Sequence, residues 1–314
     1  MSVEKQNLAT APAAVGSATE RLEGEALKQA VYKLEKETRI KILERQHGIE
    51  SASDNALLQF ISRLRQLDKT LPWEESVRRL GGVQGKELEG VLERLRIFLK
   101  RRHQGRFIDY ERRFEHSPDG PRSETDIGYY EFVTSQGLEE CMHWRGVPLF
   151  KTVYDFSLYS MILWDIRPST VIEFGSGMGS SAVWMADLLA AFNINSHIYS
   201  VDLNKPDLHY DGITFLQGDC LKVETVFPRE FLETAPHPWL FIEDAHVNVC
   251  GVLTHFHQFF TAGDYVVVED SASKHEEIGK FLGPRSGCYK IDTRYTDFFG
   301  RNATCARDSI FVRI

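Results

Sequence analysis

No stretch of this sequence approaches the ~20 consecutive apolar residues that a membrane-spanning helix needs. The opening "MSVEKQNLATAPAAVGSATE" also lacks the basic-then-apolar order of a secretory signal, so a soluble chain is expected. Cysteine is scarce. Cys141, Cys220, Cys250, Cys288 and Cys305 are odd in number and far apart, with no CxxC pair and no zinc-ligand spacing. That usage fits a reduced, cytoplasmic compartment. Positive charge is not in excess: a net charge of −8 and a pI near 5.8 give no overall pull toward nucleic acid or an anionic membrane. The exception, "KRRHQGR" at 100–106, reads as a solvated helix end. No lysine completes a GxxxxGK[ST] pattern, which argues against ATP.

What is present falls into two styles. Residues 1–20, rich in Ala, Ser, Thr and Gly, are expected to be disordered. From residue 21, Leu27, Val31, Leu34 and Ile42 keep near-helical spacing. "NALLQFISRLRQL" (55–67) and "KELEGVLERLRIFLKRR" (86–102) repeat the style, interrupted by Pro72 and Gly81-Gly82. Residues 21–115 therefore read as a small amphipathic bundle whose apolar stripes need a partner. That partner is the next domain or a second copy of the chain, and a homodimer or higher homo-oligomer is expected. The polar stretch "EHSPDGPRSETD" (115–126) marks a linker over 116–127 to a domain over 128–314.

That domain alternates. "YSMILWDIRPST" (159–170) is a helix ending before Pro168. Apolar runs follow at 170–174, 197–202, 213–217, 239–244 and 265–270, most of them separated by helical stretches. Such repetition predicts a parallel α/β sheet covered on both faces. The last two runs, 288–293 and 309–314, read as an antiparallel pair at its edge.

Ligands of such sheets sit beyond the carboxyl ends of the strands. There "VIEFGSGMGSS" places Gly175, Gly177 and Gly179, which permit a tight turn and close backbone approach. Alone the spacing is weak, because it serves several nucleotides and some purely structural turns. Asp202 ends the second strand, 27 residues after Gly175, where it can accept from ribose hydroxyls. Asp219, in "LQGDC", can accept from an adenine amino group. Glu173, just before the loop, can hold an ammonium group and would repel a pyrophosphate. Ribose, adenine and a positive end together describe S-adenosylmethionine better than NAD. Ser176, Ser180, Cys220 and Asp244 complete the expected cofactor contacts.

A second constellation stands at the next two strand ends. "FIEDAH" carries Glu243, Asp244 and His246, and "VVVED" carries Glu269 and Asp270. Neighbouring strands bring Asp244, Glu269 and Asp270 together, and a divalent ion, Mg²⁺ first, relieves their repulsion. Such an ion lowers the pKa of a substrate hydroxyl, and His246 is the candidate base. "HFH" at 255–257 cannot easily ligate one metal from a helix and reads as packing. Lys151, ahead of the domain's first helix, is expected to border the cofactor.

These stretches, with "WRGVPLFKTVYDF", "IYSVDLN" and "GDYVVVED", resemble the cephalosporin hydroxylase family, which includes the cephamycin-pathway methoxylation protein and rhamnosyl O-methyltransferases. The resemblance covers about 140–314. It implies a Rossmann-like class I methyltransferase with a seven-stranded, mostly parallel sheet and an antiparallel last strand. It further implies S-adenosylmethionine and magnesium, with metal ligands at Asp244, Glu269 and Asp270 and cofactor acids at Glu173, Asp202 and Asp219. The "GSGMGSS" loop departs from the Gly-Gly-Ser ending of many relatives. No haem, flavin or two-His-one-carboxylate pattern supports a hydroxylase. The expected activity is metal-assisted O-methylation of a sugar or secondary metabolite. The alternatives are a cofactor-binding scaffold without methyl transfer, cyclase-like or regulatory, and an N- or C-methyltransferase.

Overall fold

The computed structural model describes residues 16–44, 52–67, 72–103, 105–117 and 120–314. Residues 1–15, part of the expected disordered segment, lie outside the described residues. Residues 16–20 open a helix instead, because good helix formers such as Ala18 and Glu20 continue the pattern that follows.

The chain divides into two compact units, Met1–Gln104 and Gly105–Ile314. The first contains α1 (Gly16–Glu44), α2 (Ala52–Arg63), α3 (Trp73–Arg79) and α4 (Gly85–His103). Their stripes pack on one another: Val31 and Leu34 of α1 share a core with Phe60 and Ile61 of α2 and Leu92 and Leu95 of α4. The partner that the stripes need is thus found inside the unit.

The second unit begins earlier than the sequence suggests. β1 (Phe107–Ile108) pairs antiparallel with a strand of the main sheet. The expected linker, with β2 (His116–Ser117) and β3 (Gly120–Pro121), also belongs here. Arg122, inside that segment, is buried against Asp297 and, at 2.9 Å, Asp308. Arg106, the end of the basic run, grips Asp292 with Nε at 3.0 Å from Oδ1 and Nη2 at 2.9 Å from Oδ2. Pro and Gly marked turns in this segment, not a boundary.

There follow α5 (Tyr129–Thr134), β4 (Met142–Trp144), β5 (Val147–Leu149), α6 (Val153–Ile166), β6 (Thr170–Phe174), α7 (Ser180–Ala191), β7 (His197–Asp202), β8 (Ile213–Gln217), α8 (Arg229–Thr234), β9 (Trp239–Glu243), α9 (Val249–His257), β10 (Tyr265–Val268), α10 (His275–Leu282), β11 (Tyr289–Asp292), α11 (Thr293–Thr296) and β12 (Ile310–Arg313). Thr152 caps α6, its Oγ1 accepting the Asp155 N–H at 3.0 Å. The helix stops at left-handed Arg167, before Pro168. The sheet order is β8-β7-β6-β9-β10-β12-β11-β1. β6 to β10 are parallel, β12 runs antiparallel between β10 and β11, and β1 is added at the edge. This is the expected seven-stranded arrangement plus one short strand.

Alternation decides which face each strand residue serves. Trp239 and Phe241 of β9 and Val266 and Val268 of β10 join one core, with Phe256 of α9 and Phe281 of α10. Leu240, Ile242, Tyr265 and Val267 join the other, with Ile162 of α6 and Trp184 of α7.

Asp187 of α7 fastens the β4–β5 hairpin. It accepts from Trp144 Nε1 at 2.7 Å, Arg145 Nε at 2.6 Å and Tyr210 OH at 2.6 Å. The Arg145 hydrogen bond leads in holding its carboxyl down at about 2, against the opposing effect of burial. Arg145 is 60% exposed, so screening reduces the contribution to about 1 kcal/mol. A depressed folded pKa stabilises above the ordinary aspartate value and loses that contribution as pH falls through the folded one. Wild type is therefore expected to exceed Asp187→Asn in stability at neutral pH, with the gap closing between about pH 4 and pH 2. Urea denaturation at stepped pH measures it.

Candidate active site

The order of the parallel strands reverses at β6, whose neighbours are β7 and β9, so the glycine loop opens at a switch point. Gly175 has φ +103°, and a Cβ there would stand 2.6 Å from the Asp244 carbonyl carbon and 2.7 Å from its oxygen. Only glycine lets the β6 loop lie this close to the β9 loop. At Gly177 a Cβ would meet nothing within 4 Å, so the space above the loop is open. Left-handed Gly179 precedes α7.

Asp202 fixes the loop: its Oδ2 accepts the Gly177 N–H at 2.9 Å and its Oδ1 the Asn204 N–H at 2.9 Å. Each oxygen keeps a further lone pair. Asp219 Oδ1 caps the turn over 220–225 by accepting the Leu221 N–H at 2.9 Å. Three residues expected to contact the cofactor also make hydrogen bonds within the protein. Ser176 Oγ is 2.6 Å from Ser200 Oγ, and Ser180 Oγ donates to the Pro148 carbonyl at 2.6 Å. The Cys220 carbonyl accepts from Asn248 Nδ2 at 2.8 Å, and burial with nearby Glu243, Asp219 and Asp202 pushes its thiol up to about 11. Glu173 is likewise buried, accepting from the hydroxyls of Ser181 and Ser200. Burial raises its pKa against those two bonds. Through these two hydroxyls it ties the strand before the glycine loop to the start of α7 and to β7, beside its expected role toward an ammonium group, directly or through water.

β9 and β10 both end in Glu-Asp, and alternation sends the two glutamates to opposite faces. Glu243 faces the side of Phe241, where Lys274 Nζ donates to its Oε2 at 2.9 Å. Its Oε1 accepts the N–H groups of Ala245 and His246, each at 3.1 Å. Lys274 follows Asp270 closely, so this buried pair clasps the two loops that carry Asp244, His246 and Asp270. The Val268–Glu243 register brings the next pair, Glu269 and Asp244, to the other face. There Lys151 Nζ lies 3.3 Å from Asp244 Oδ2 and closer still to Glu269 Oε2, and Tyr159 OH donates to Glu269 Oε1. Burial alone would lower the lysine's pKa, but Glu269 and Asp244 outweigh it and hold it well above the ordinary value. Burial raises the carboxyls of both Glu269 and Asp244.

The group with ion-binding geometry is Asp244, His246 and Asp270, each offering one ligand atom within 4.8 Å of the others. His246 Nε2 stands 3.5 Å from Asp244 Oδ1 and 3.6 Å from Asp270 Oδ2. The side chains of His246 and Asp270 are 49% and 54% exposed, so the group is open to a ligand. Glu269, expected as a third carboxylate ligand, lies beside this group, with Lys151 and Tyr159 donating to its oxygens. Lys151 pairs with Asp244 and Glu269 on one face, and Lys274 pairs with Glu243 on the other. The histidines of "HFH" take no part: His257 Nδ1 is 2.7 Å from Tyr289 OH, and His255 packs on Phe256 and Phe259.

A family model described as Rhamnosyl O-methyltransferase/CmcI matches residues 136–287. A rhamnosyl O-methyltransferase of Mycobacterium leprae (strain TN) is 32% identical over 208 residues, 59% of this chain and 89% of that protein. The chain belongs to the rhamnosyl O-methyltransferase/CmcI family. A second rhamnosyl O-methyltransferase, of Mycobacterium bovis (strain BCG / Pasteur 1173P2), is 29% identical over 167 residues, 50% of this chain and 66% of that one. Among solved structures, CmcI with Mg and SAM covers 70% of this chain and 95% of its own at 22% identity and a TM-score of 0.49. The span matched by the rhamnosyl O-methyltransferase/CmcI model contains the glycine loop, Asp202, Asp219, Asp244, His246 and Asp270. No helix among the described residues is long and apolar enough to cross a membrane.

Proposed function

We propose that this chain is an S-adenosylmethionine-dependent, metal-assisted O-methyltransferase acting on a hydroxyl of a small molecule, a sugar or secondary metabolite. The observation that carries the reading is the convergence of Asp244, His246 and Asp270 beside an open glycine loop held by Asp202. The relatives named for rhamnosyl O-methyl transfer support the reaction, and the CmcI structure with Mg and SAM supports the cofactors. The residues fit both groups. Asp202 retains acceptor capacity for ribose hydroxyls, the cleft carries net negative charge for a sulfonium, and two carboxylates are accessible to a hard cation.

The sulfonium cofactor supplies the methyl group, and a divalent ion held by Asp244 and Asp270 supplies a Lewis acid that eases loss of the acceptor's proton. His246 Nε2 takes that proton. Its backbone is left-handed, at φ +59°, and its N–H is tied to Glu243, so the ring is set at the mouth of the cleft. The glycine loop and the β9 loop, in contact at Gly175, form the frame on which donor and acceptor would be oriented. The same distances favour a second role for His246, as a third ligand. A nitrogen ligand favours Mn²⁺ or Zn²⁺ over Mg²⁺, so metal preference separates the two roles.

Calorimetric titration with S-adenosylmethionine tests the reading. The wild type is expected to bind one equivalent, and Asp202→Ala to bind about 10–100-fold more weakly, the loss expected for hydrogen bonds to a charged acceptor. Absence of binding to the wild type would overturn it.

A further inference from the structure

A groove of about 560 Å³, a size that holds a small organic ligand, opens beside the segment that carries Lys151. Its walls include Thr134, Ser135 and Gln136 at and after the end of α5, Glu140 and Met142 around the start of β4, and Val153 at the start of α6. Two chains of contact tie these walls to the acids. On one side, Val153 stands two residues after Lys151, a span of at most ~7 Å, and Lys151 Nζ is 3.3 Å from Asp244 Oδ2. On the other, Ser135 Oγ donates to the Phe132 carbonyl at 2.6 Å, and the Arg307 guanidinium lies 5.5 Å from the centre of the Phe132 ring. The Arg307 carbonyl in turn accepts from the hydroxyl of Ser271, the residue after Asp270, at 3.0 Å.

The groove offers many acceptors and little positive charge. Thr134 and Ser135 spend their hydroxyl hydrogens on the Tyr130 and Phe132 carbonyls, so toward a ligand they present lone pairs. Glu140, its side chain 80% exposed, presents a carboxylate. The Gln136 side-chain amide has no partner within the chain among the described residues, and it can donate and accept at once. Met142 and Val153 add apolar surface suited to C–H groups. Among the described residues that line the groove there is no lysine or arginine, so an anion would meet Glu140 without a cation to hold it. Such a lining calls for several O–H donors on a neutral frame with apolar faces, which is the chemistry of a sugar ring.

We propose that this groove binds a second, unmethylated sugar ring of the acceptor, so that the substrate is a glycoside of at least two sugars. The inference rests on the methyltransferase reading above and adds the length of the acceptor to it. The ring to be methylated occupies the space at the acids, and its neighbour lies along Gln136, Glu140 and Val153. Contacts made this far from the reacting hydroxyl are equal in the ground state and the transition state, so they lower KM and leave kcat unchanged.

The test follows methyl transfer from radiolabelled S-adenosylmethionine to acceptors built from the sugar in the relatives' name: methyl rhamnoside, and the linkage isomers of methyl rhamnosyl-rhamnoside. Wild type, Gln136→Ala and Val153→Trp are compared. The first variant removes the amide, and the second fills the groove from an exposed position. For the wild type, at least one disaccharide is expected to exceed the monosaccharide in kcat/KM by about 10-fold or more. Each variant is expected to raise KM for that disaccharide by about fivefold or more, with its kcat, and both constants for the monosaccharide, within about twofold of wild type. A disaccharide advantage below about threefold, or variants that slow both acceptors alike, would overturn the proposal. Should Val153→Trp fail to fold, Gln136→Ala decides alone. If the wild type binds S-adenosylmethionine and methylates neither kind of acceptor, the proposal fails and the methyltransferase reading stands without it. A wild type that binds no S-adenosylmethionine overturns both.

Discussion

Asp244→Asn is expected to lower kcat for methyl transfer by about 10²–10³-fold while leaving S-adenosylmethionine affinity within about threefold of wild type. The position explains the asymmetry. Asp244 sits at the tip of β9 with its N–H on the Phe174 carbonyl at 2.8 Å, so its backbone is locked to the strand that starts the glycine loop. Its side chain has one oxygen on Lys151 and the other toward His246. The amide keeps the size of the carboxylate and removes the charge that an ion and a protonated His246 both require. Backbone contacts that shape the cofactor space are untouched. Single-turnover kinetics with radiolabelled cofactor, beside calorimetry on the same preparation, separates the two effects. A variant that transfers methyl groups within about tenfold of wild type would show that Asp244 does no electrostatic work in the reaction.

Lys274→Met is expected to cost about 3–5 kcal/mol of stability, the usual penalty for stranding one member of a buried ion pair. Lys274 is 5% exposed and Glu243 not at all, so solvent screening does not soften the loss. The consequences extend past the pair. Glu243 holds the Ala245 and His246 N–H groups, and Lys274 ties it to the chain just after Asp270. Without the lysine, the uncompensated carboxylate draws in water or a proton, and the two loops lose their common anchor. Adding Glu243→Gln to Lys274→Met removes the stranded charge, and the double variant is expected to recover more than half of the lost stability. Urea denaturation of the three proteins measures this, and a single-variant loss under about 1 kcal/mol would mean that the clasp bears no load.

Much of this was legible before the structure. β6, β7 and β8 fall on the apolar runs at 170–174, 197–202 and 213–217, because strands buried on both faces are marked by continuous hydrophobic composition. The places of Asp202, Asp244 and Asp270 at or just past strand ends were legible because each follows an apolar run. The start of the second unit was not. A strand as short as Phe107–Ile108 has no periodicity, and the burial of Arg122 depends on Asp297 and Asp308, far along the chain. The partners of Glu269 within the chain were hidden for a related reason. Two Glu-Asp endings look equivalent in sequence, yet the β9–β10 register puts Glu269 opposite Asp244 and sends Glu243 to the other face. Which glutamate meets which lysine follows from folding α6 and the segment after β10 onto those faces. Lys151 carried only its place ahead of a helix as a signal, and Lys274 carried none. Ser176 and Ser180 illustrate the converse. A loop hydroxyl looks like a ligand contact in sequence, and here both close hydrogen bonds within the scaffold.

The central claim is that the tips of β9 and β10 present Asp244 and Asp270 to a single divalent ion next to the space over Gly177. A crystal grown with Mn²⁺ and S-adenosylhomocysteine, with data collected at the manganese absorption edge, tests it most directly. The account predicts one anomalous peak within about 2.0–2.6 Å of a carboxylate oxygen from each of Asp244 and Asp270, with the ribose hydroxyls on Asp202. No peak at those carboxylates, or a nucleoside bound away from the glycine loop, would contradict it.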